Sequence, residues 1–269
     1  MFVTKPQLAG GLLDRAHALG IRAAFVAGDE VYGGRELRWS IRQRGIGYVM
    51  AVRCSHVVTS GSGRAMTAAD AVSMIPPHAW HRMRTRSGTK GTRHYDWAML
   101  QVASDDAPGG DEDGHSVLLV RRHRYTGQLS YYRCWTPGPV PLSKLIAIAS
   151  ARWRIEEDHQ LSKQAAGLDA GQVIRWRSWH RWTAVCLLAY TYLAVAVAVH
   201  HQQEASSDLD SGLIPVTVPE LLRLLRDVVI PPPRRDRAHR LHWSDWRRRH
   251  QHRAREAHRR WNSYAEATP

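Results

Sequence analysis

From Lys5 to Arg53 the apolar pattern changes period repeatedly, and that alternation restricts the fold more than any other feature of the chain. Leu8, Leu12, Leu13, Ala16 and Leu19 recur on one helical face over residues 5–19, and Gly20 closes the segment. "IRAAFVAGDE" follows as a continuous apolar run, the pattern of a strand covered on both faces in a parallel or mixed sheet. Gly33 and Gly34 then open a second helix, "RELRWSIRQRG", and "YVMAVR" reads as the next strand. Helix, strand, helix, strand is an α/β order. Asp29 falls at the carboxyl end of the first strand, where open α/β sheets gather ligand-binding groups. An equal reading makes it a cap of the turn before "EVYGG". Glu30, one residue further along an extended strand, would face the opposite side.

Composition shifts divide the remainder. Residues 54–140 read as a β-rich insertion, with the strands "HYDWAMLQVA", "SVLLVRRHRY" and "QLSYYRCW" separated by polar, Gly-rich turns such as "DDAPGGDEDGH". Thr126-Gly127 marks a hairpin between the last two strands. After "PGPVPLS" two long helices are expected over residues 141–202, one from Leu142 to Ala166 and one from Ser178 to His201. Residues 203–269 form a basic helical tail. The apolar run Thr183–Val199 falls short of the ~20 residues of a membrane span and lies between arginine-rich and histidine-rich flanks, so a buried core helix is the preferred reading.

The formal charge is +14, from 38 Lys and Arg against 24 Asp and Glu, which points to a polyanionic partner, nucleic acid first. Cys54, Cys134 and Cys186 lie far apart without a CxxC pair, which suits a reducing cytosol better than a disulfide framework or a zinc ribbon.

"RWRIEEDHQLSK" places two glutamates in a basic helix. At about 100° per residue, Arg152, Glu156 and Lys163 fall on one face and Glu157 lies off it. A carboxylate between two cations suits a site where the acid holds metal and the cations hold phosphate. Ordinary salt bridges on a solvated face have the same spacing.

The stretch resembles the signature of DDE-superfamily transposases of bacterial insertion sequences, in the cut-and-paste group with a Tyr, Arg, Glu, Lys motif. Arg152, Glu156 and Lys163 match at R-x3-E-x6-K, while Ala149 stands where the motif has tyrosine. "GDEVYGG" resembles the second-aspartate motif, with Asp29 as the acid and Tyr32 as its aromatic companion. "HYDWA", "GLDAGQVIRWRSWHRW" and "WRRRHQHRAREAHRRW" resemble stretches of one subgroup in the same order.

The resemblance implies an RNase H-like core in which two aspartates and a glutamate hold two Mg2+ (or Mn2+) ions. It implies a DNA endonuclease and strand transferase: water cleaves the element end, and the freed 3′-OH attacks target DNA. Asp29 and Glu156 would be catalytic metal ligands, with Arg152, Lys163 and Tyr32 as DNA contacts. Double-stranded DNA, as terminal inverted repeats and target, is the implied partner. A homodimer is compatible, no membrane is implied, and the location is the bacterial cytoplasm.

The family's first aspartate lies on an earlier strand and has no counterpart here. Asp14 is the sole acid before Asp29 and sits mid-helix without that motif. The expectation is therefore an N-terminally truncated core that lacks its opening strands and is inactive by itself. The alternatives are a non-catalytic DNA-binding remnant or regulator of transposition, and, more distantly, another RNase H-like nuclease.

In the tail, Arg247, Arg248, Arg249, Arg253, Arg255, Arg259 and Arg260 recur with Trp243, Trp246 and Trp261. This is either a DNA-backbone surface or a solvated helix docking its tryptophans. His250, His252 and His258 lack the spacing of a tetrahedral metal site. Trp97 and Trp135 are read as core residues, with stacking on an unpaired base as the other possibility.

Overall fold

The computed structural model describes residues 3–88, 91–107, 113–205, 215–229 and 236–267. They fall into two units, Met1–Gln160 and Leu161–Pro269.

In the first unit, α1 (Lys5–Ala18) starts with a capping box in which the Thr4 hydroxyl accepts from Gln7 N–H and the Gln7 side chain reaches back to the Thr4 backbone. Then follow β1 (Phe25–Gly28), α2 (Arg35–Gln43) and β2 (Gly47–Val52). The short strands β3 (Val57–Thr59) and β4 (Ala65–Thr67) and helix α3 (Ala68–Ala71) lead to four longer strands. These are β5 (His81–Gly88), β6 (Gly91–Gln101), β7 (His115–Arg122) and β8 (Leu129–Thr136). α4 (Leu142–Ala151) and α5 (Trp153–Ala166) come next.

One six-stranded sheet, ordered β1-β2-β8-β7-β6-β5, organises the unit, and the long strands read from sequence as an insertion continue it. β1 and β2 are parallel, and every other neighbour is antiparallel. The fold is thus mixed α/β, and strand alternation explains its layers. Tyr48, Met50 and Trp135 point to one face, where Leu37 and Ile41 of α2 cover them and Leu13 of α1 packs alongside. Val52, Leu118, Val120 and Tyr131 continue that face beneath Val58, Ala68 and Ala71. Val49, Leu119, Tyr132 and Cys134 point to the other face, under Leu145, Ile146 and Ala149 of α4.

Several expectations change. The single helix over 142–166 is two helices that break at Arg152, although Arg152 keeps helical dihedrals (φ −53°, ψ −40°), so the spacing to Glu156 survives the break. β5 pairs along the sheet edge where no alternating apolar pattern announced it. Trp97 and Trp135 are 1% and 3% exposed, which excludes them as stacking platforms. Trp97 packs on Tyr132 at 6.0 Å between centroids, and Trp135 Nε1 donates to Asp113 O at 2.8 Å.

In the second unit, α6 (Trp176–Ala205), α7 (Val218–Leu224), a π-helical turn (Leu225–Val229) and α8 (Arg237–Ala267) follow the end of α5. Tyr190, Leu193 and Val218 form a small core with Leu161, Val197 and Leu221 around it. The expected buried core helix is not what α6 becomes. Cys186, Tyr190 and Leu193 are buried, but Val185, Leu188, Tyr192 and Val195 on the other side are exposed. Among the described residues α6 is the one helix long and apolar enough to cross a membrane by length and composition, and 22% of its most apolar window is buried.

Candidate active-site cleft

β1 stops at Gly28 because the chain turns there into a 3-10 segment, Glu30–Tyr32. A Cβ on Gly28 would lie 2.7 Å from Met50 Sδ and 3.0 Å from Tyr32 Cβ, so glycine lets the turn close against β2. Asp29 caps the turn, its Oδ1 accepting from Val31 N–H at 3.0 Å. Asp29 is thus the cap of the turn, and the same side chain also lines a cleft of about 570 Å³.

The cleft gathers the ends of four separate segments. Asp29 and Glu30 come from the end of β1, Val52 and Cys54 from the end of β2, Tyr131 and Tyr132 from β8, and Arg152 and Trp153 from the α4–α5 junction. Glu30 was expected to face away from Asp29. It lines the same cleft because the backbone has left the strand by that point, and it pairs with Arg53 at 3.4 Å.

Arg152 is the hinge of the arrangement. Its guanidinium lies 5.1 Å from the Trp153 ring centroid, and its Nη1 donates to Glu156 Oε1 at 3.1 Å. Glu156 stands one turn along α5, with 51% of its side chain exposed, beside the residues that line the cleft. Burial pushes the phenol pKa values of Tyr131 and Tyr132 upward, so both stay protonated hydroxyls in the wall.

Other expected site residues lie elsewhere. Tyr32 packs against the Leu37, Ile41 and Tyr48 cluster and is not part of the cleft wall. Lys163 is exposed on the part of α5 that belongs to the second unit. Arg247, Arg248, Arg249 and Arg253 are exposed on α8, where Arg249 pairs with Asp245. Ala149, at the motif's tyrosine position, is 4% exposed and packs under the sheet. Asp14 is on the exposed side of α1 and pairs with Arg44 of α2.

Sequence reasoning passed over two groups in the wall. Trp153 stands inside the quoted motif, and its place directly after Arg152 was the available signal. Arg121, from the run "RRHR" at the end of β7, enters the wall by bonding Ser130 Oγ at 2.9 Å and stacking on Tyr95 at 4.8 Å.

Divalent magnesium takes oxygen ligands, commonly one or two carboxylates completed by water. Asp29 and Glu156 are donors of that kind, so the donor chemistry fits. Among the described residues no group of three or more His, Cys, Asp or Glu side chains is assembled to hold a metal ion. No protein-family model matches the chain, and no curated protein matches it.

Proposed function

We propose that this chain has the chemistry of a DDE-type DNA transposase, an endonuclease and strand transferase built on an RNase H-like core. One observation carries the reading. Asp29, at the carboxyl end of the parallel edge strand β1, and Arg152, 123 positions later in the sequence, line one cleft, and Arg152 holds Glu156 at 3.1 Å. These are the residues that the motif spacing singles out.

In this reading Asp29 and Glu156 hold the divalent metal. When bound, the metal polarises the scissile phosphate and favours the deprotonated form of the attacking oxygen. The chain's own groups do the rest. Arg152 offers a planar fork to a phosphate oxygen while its ion pair fixes the Glu156 rotamer. Trp153 keeps the guanidinium from swinging outward, and Lys163 and the α8 arginines supply further phosphate contacts. Asp29 and Glu156 account for two of the three carboxylates that such enzymes use, so the chain alone is assigned metal and DNA binding with little or no cleavage.

Mn2+ titration followed by electron paramagnetic resonance, paired with nicking of supercoiled plasmid, tests the assignment. Mn2+ uptake should fall at least tenfold in Asp29→Asn and in Glu156→Gln and stay unchanged in Glu157→Gln. Equal loss in both glutamate variants would defeat the spacing argument. Duplex binding with no carboxylate-dependent metal uptake would identify the alternative, a non-catalytic DNA-binding regulator.

A further inference from the structure

α8 carries a continuous ladder of rings. His239, Trp243, Trp246 and His250 follow one another at i, i+4, i+7 and i+11, which places all four along one face over roughly 16 Å. Their centroids are spaced 6.2, 5.4 and 5.2 Å, and the last pair, Trp246 and His250, is parallel to within 3°. Trp243 and Trp246 remain 42% and 49% exposed, so the ladder is not consumed by a core. Arginines border it on both sides, Arg240 and Arg247 beside His239 and Trp243, and Arg249 and Arg253 beside Trp246 and His250.

We infer that this face of α8 binds unpaired, single-stranded nucleic acid, with bases stacked on Trp243 and Trp246 and the sugar-phosphate chain held by the flanking arginines. A basic helix alone would suit any polyanion, but half-exposed indole rings between two rows of arginine match a strand that presents base faces and phosphates together. In a duplex the base faces are already stacked on each other, so the rings would find no partner there. A lipid surface fits poorly, because an interfacial helix needs a broad uncharged apolar face, and here arginines flank the rings on both sides. Leu241, the one leucine, isoleucine or valine in α8, lies two positions from the ladder residues 239 and 243, on the opposite side of the helix. The inference rests on the nucleic-acid reading of α8 and does not involve metal chemistry at Asp29 or Glu156.

Fluorescence anisotropy on the full chain, with a labelled oligothymidylate of about 16 nucleotides and a labelled duplex of equal length, is the test. Trp243→Ala together with Trp246→Ala should weaken the single strand at least about tenfold and leave the duplex within about twofold. Trp246→Phe, which keeps a ring, should retain most of the affinity, whereas Arg247→Ala should weaken both ligands alike. An equal loss on both ligands, or no loss on the single strand, overturns the inference. So does tryptophan-dependent binding to phosphatidylserine vesicles without binding to the oligonucleotide. Single-strand binding that survives Glu156→Gln while Mn2+ uptake is absent in every variant would keep this inference and remove the metal reading.

Discussion

Asp105 and Asp106 lie in a loop that pairs with the buried arginines Arg38, Arg42 and Arg133 of the first unit. Arg38 grips Asp105 with two bonds of 2.6 and 2.8 Å, and Arg133, fully buried on β8, adds a third at 2.5 Å. Asp106 receives Tyr48 Oη at 2.7 Å and Arg42 at 3.2 Å. His56 Nε2 lies 3.4 Å from Asp105 Oδ2, within ion-pair reach but without hydrogen-bond alignment. Burial alone would raise both carboxyl pKa values. Their partners outweigh it, chiefly His56, Arg38 and Arg133 for Asp105, and Tyr48, Ser104 and Arg38 for Asp106, so Asp105 is held well below the usual carboxylate range and Asp106 is lowered from its ordinary value. A depressed folded-state pKa means that the unfolded chain takes up protons first on acidification. The stabilisation is therefore complete above about pH 4 and is lost as pH falls below it. Urea midpoints at pH 7 and pH 3 should differ markedly in the native chain and less in Asp105→Asn. That variant leaves Arg38 and Arg133 buried without their counter-charge and should lose about 3 kcal/mol at pH 7. That is the low end for a broken buried pair, because 31% of the Asp105 side chain stays exposed. A loss under about 1 kcal/mol would mean that water already satisfies the arginines.

At the scale of elements, what could be read in advance depended on whether a pattern was local. β2, β6, β7 and β8 were legible because central strands need apolar residues on both faces, and β1, though at the sheet edge, was legible from its continuous apolar run. β5, "HRMRTRSG", was not, since an edge strand with polar faces has no period distinguishing it from a loop. The loop with Asp105 and Asp106 looked like a solvated turn, because its partners Arg38, Arg42 and Arg133 come from distant segments. The break at Arg152 has no Gly or Pro to announce it. Of the candidate cleft, Asp29 and Arg152 were legible from strand-end position and helical spacing, and Glu30 was misplaced by assuming that the strand continued. α6 shows the same limit, for it is apolar on most sides and its sequence cannot say which side docks. The structure can. Leu193 is 6% exposed and Leu188 is 71% exposed. Leu193→Ala should cost about 2 to 4 kcal/mol in urea unfolding, while Leu188→Ala should stay within about 0.5 kcal/mol. Similar costs at the two positions would show that the exposed side of α6 is covered in solution.

Charge distribution over the whole molecule separates two uses of arginine. In the first unit Arg38, Arg42 and Arg133 are buried against Asp105 and Asp106, so they add nothing to an external field. On α8 nine arginines stand against three acids, Asp245, Glu256 and Glu266, and this helix is the most concentrated source of the +14 net charge. A phosphate contact releases about 0.9 of a condensed counterion from duplex DNA, and that fixes what salt should do. If Arg247, Arg248, Arg249 and Arg253 each neutralise one phosphate, log Kd should rise with log salt at a slope of about 3.6. Arg247→Ala should lower the slope by about 0.9. Arg249 already pairs with Asp245, so Arg249→Ala should lower it less, and Asp245→Asn should tighten binding by freeing that arginine. Anisotropy titrations of a duplex across a salt series measure each slope directly. Arg38→Met, inside the first unit, should leave the slope unchanged even as it destabilises the fold. A slope that responds to Arg38 and ignores Arg247 would move the DNA-binding surface off α8.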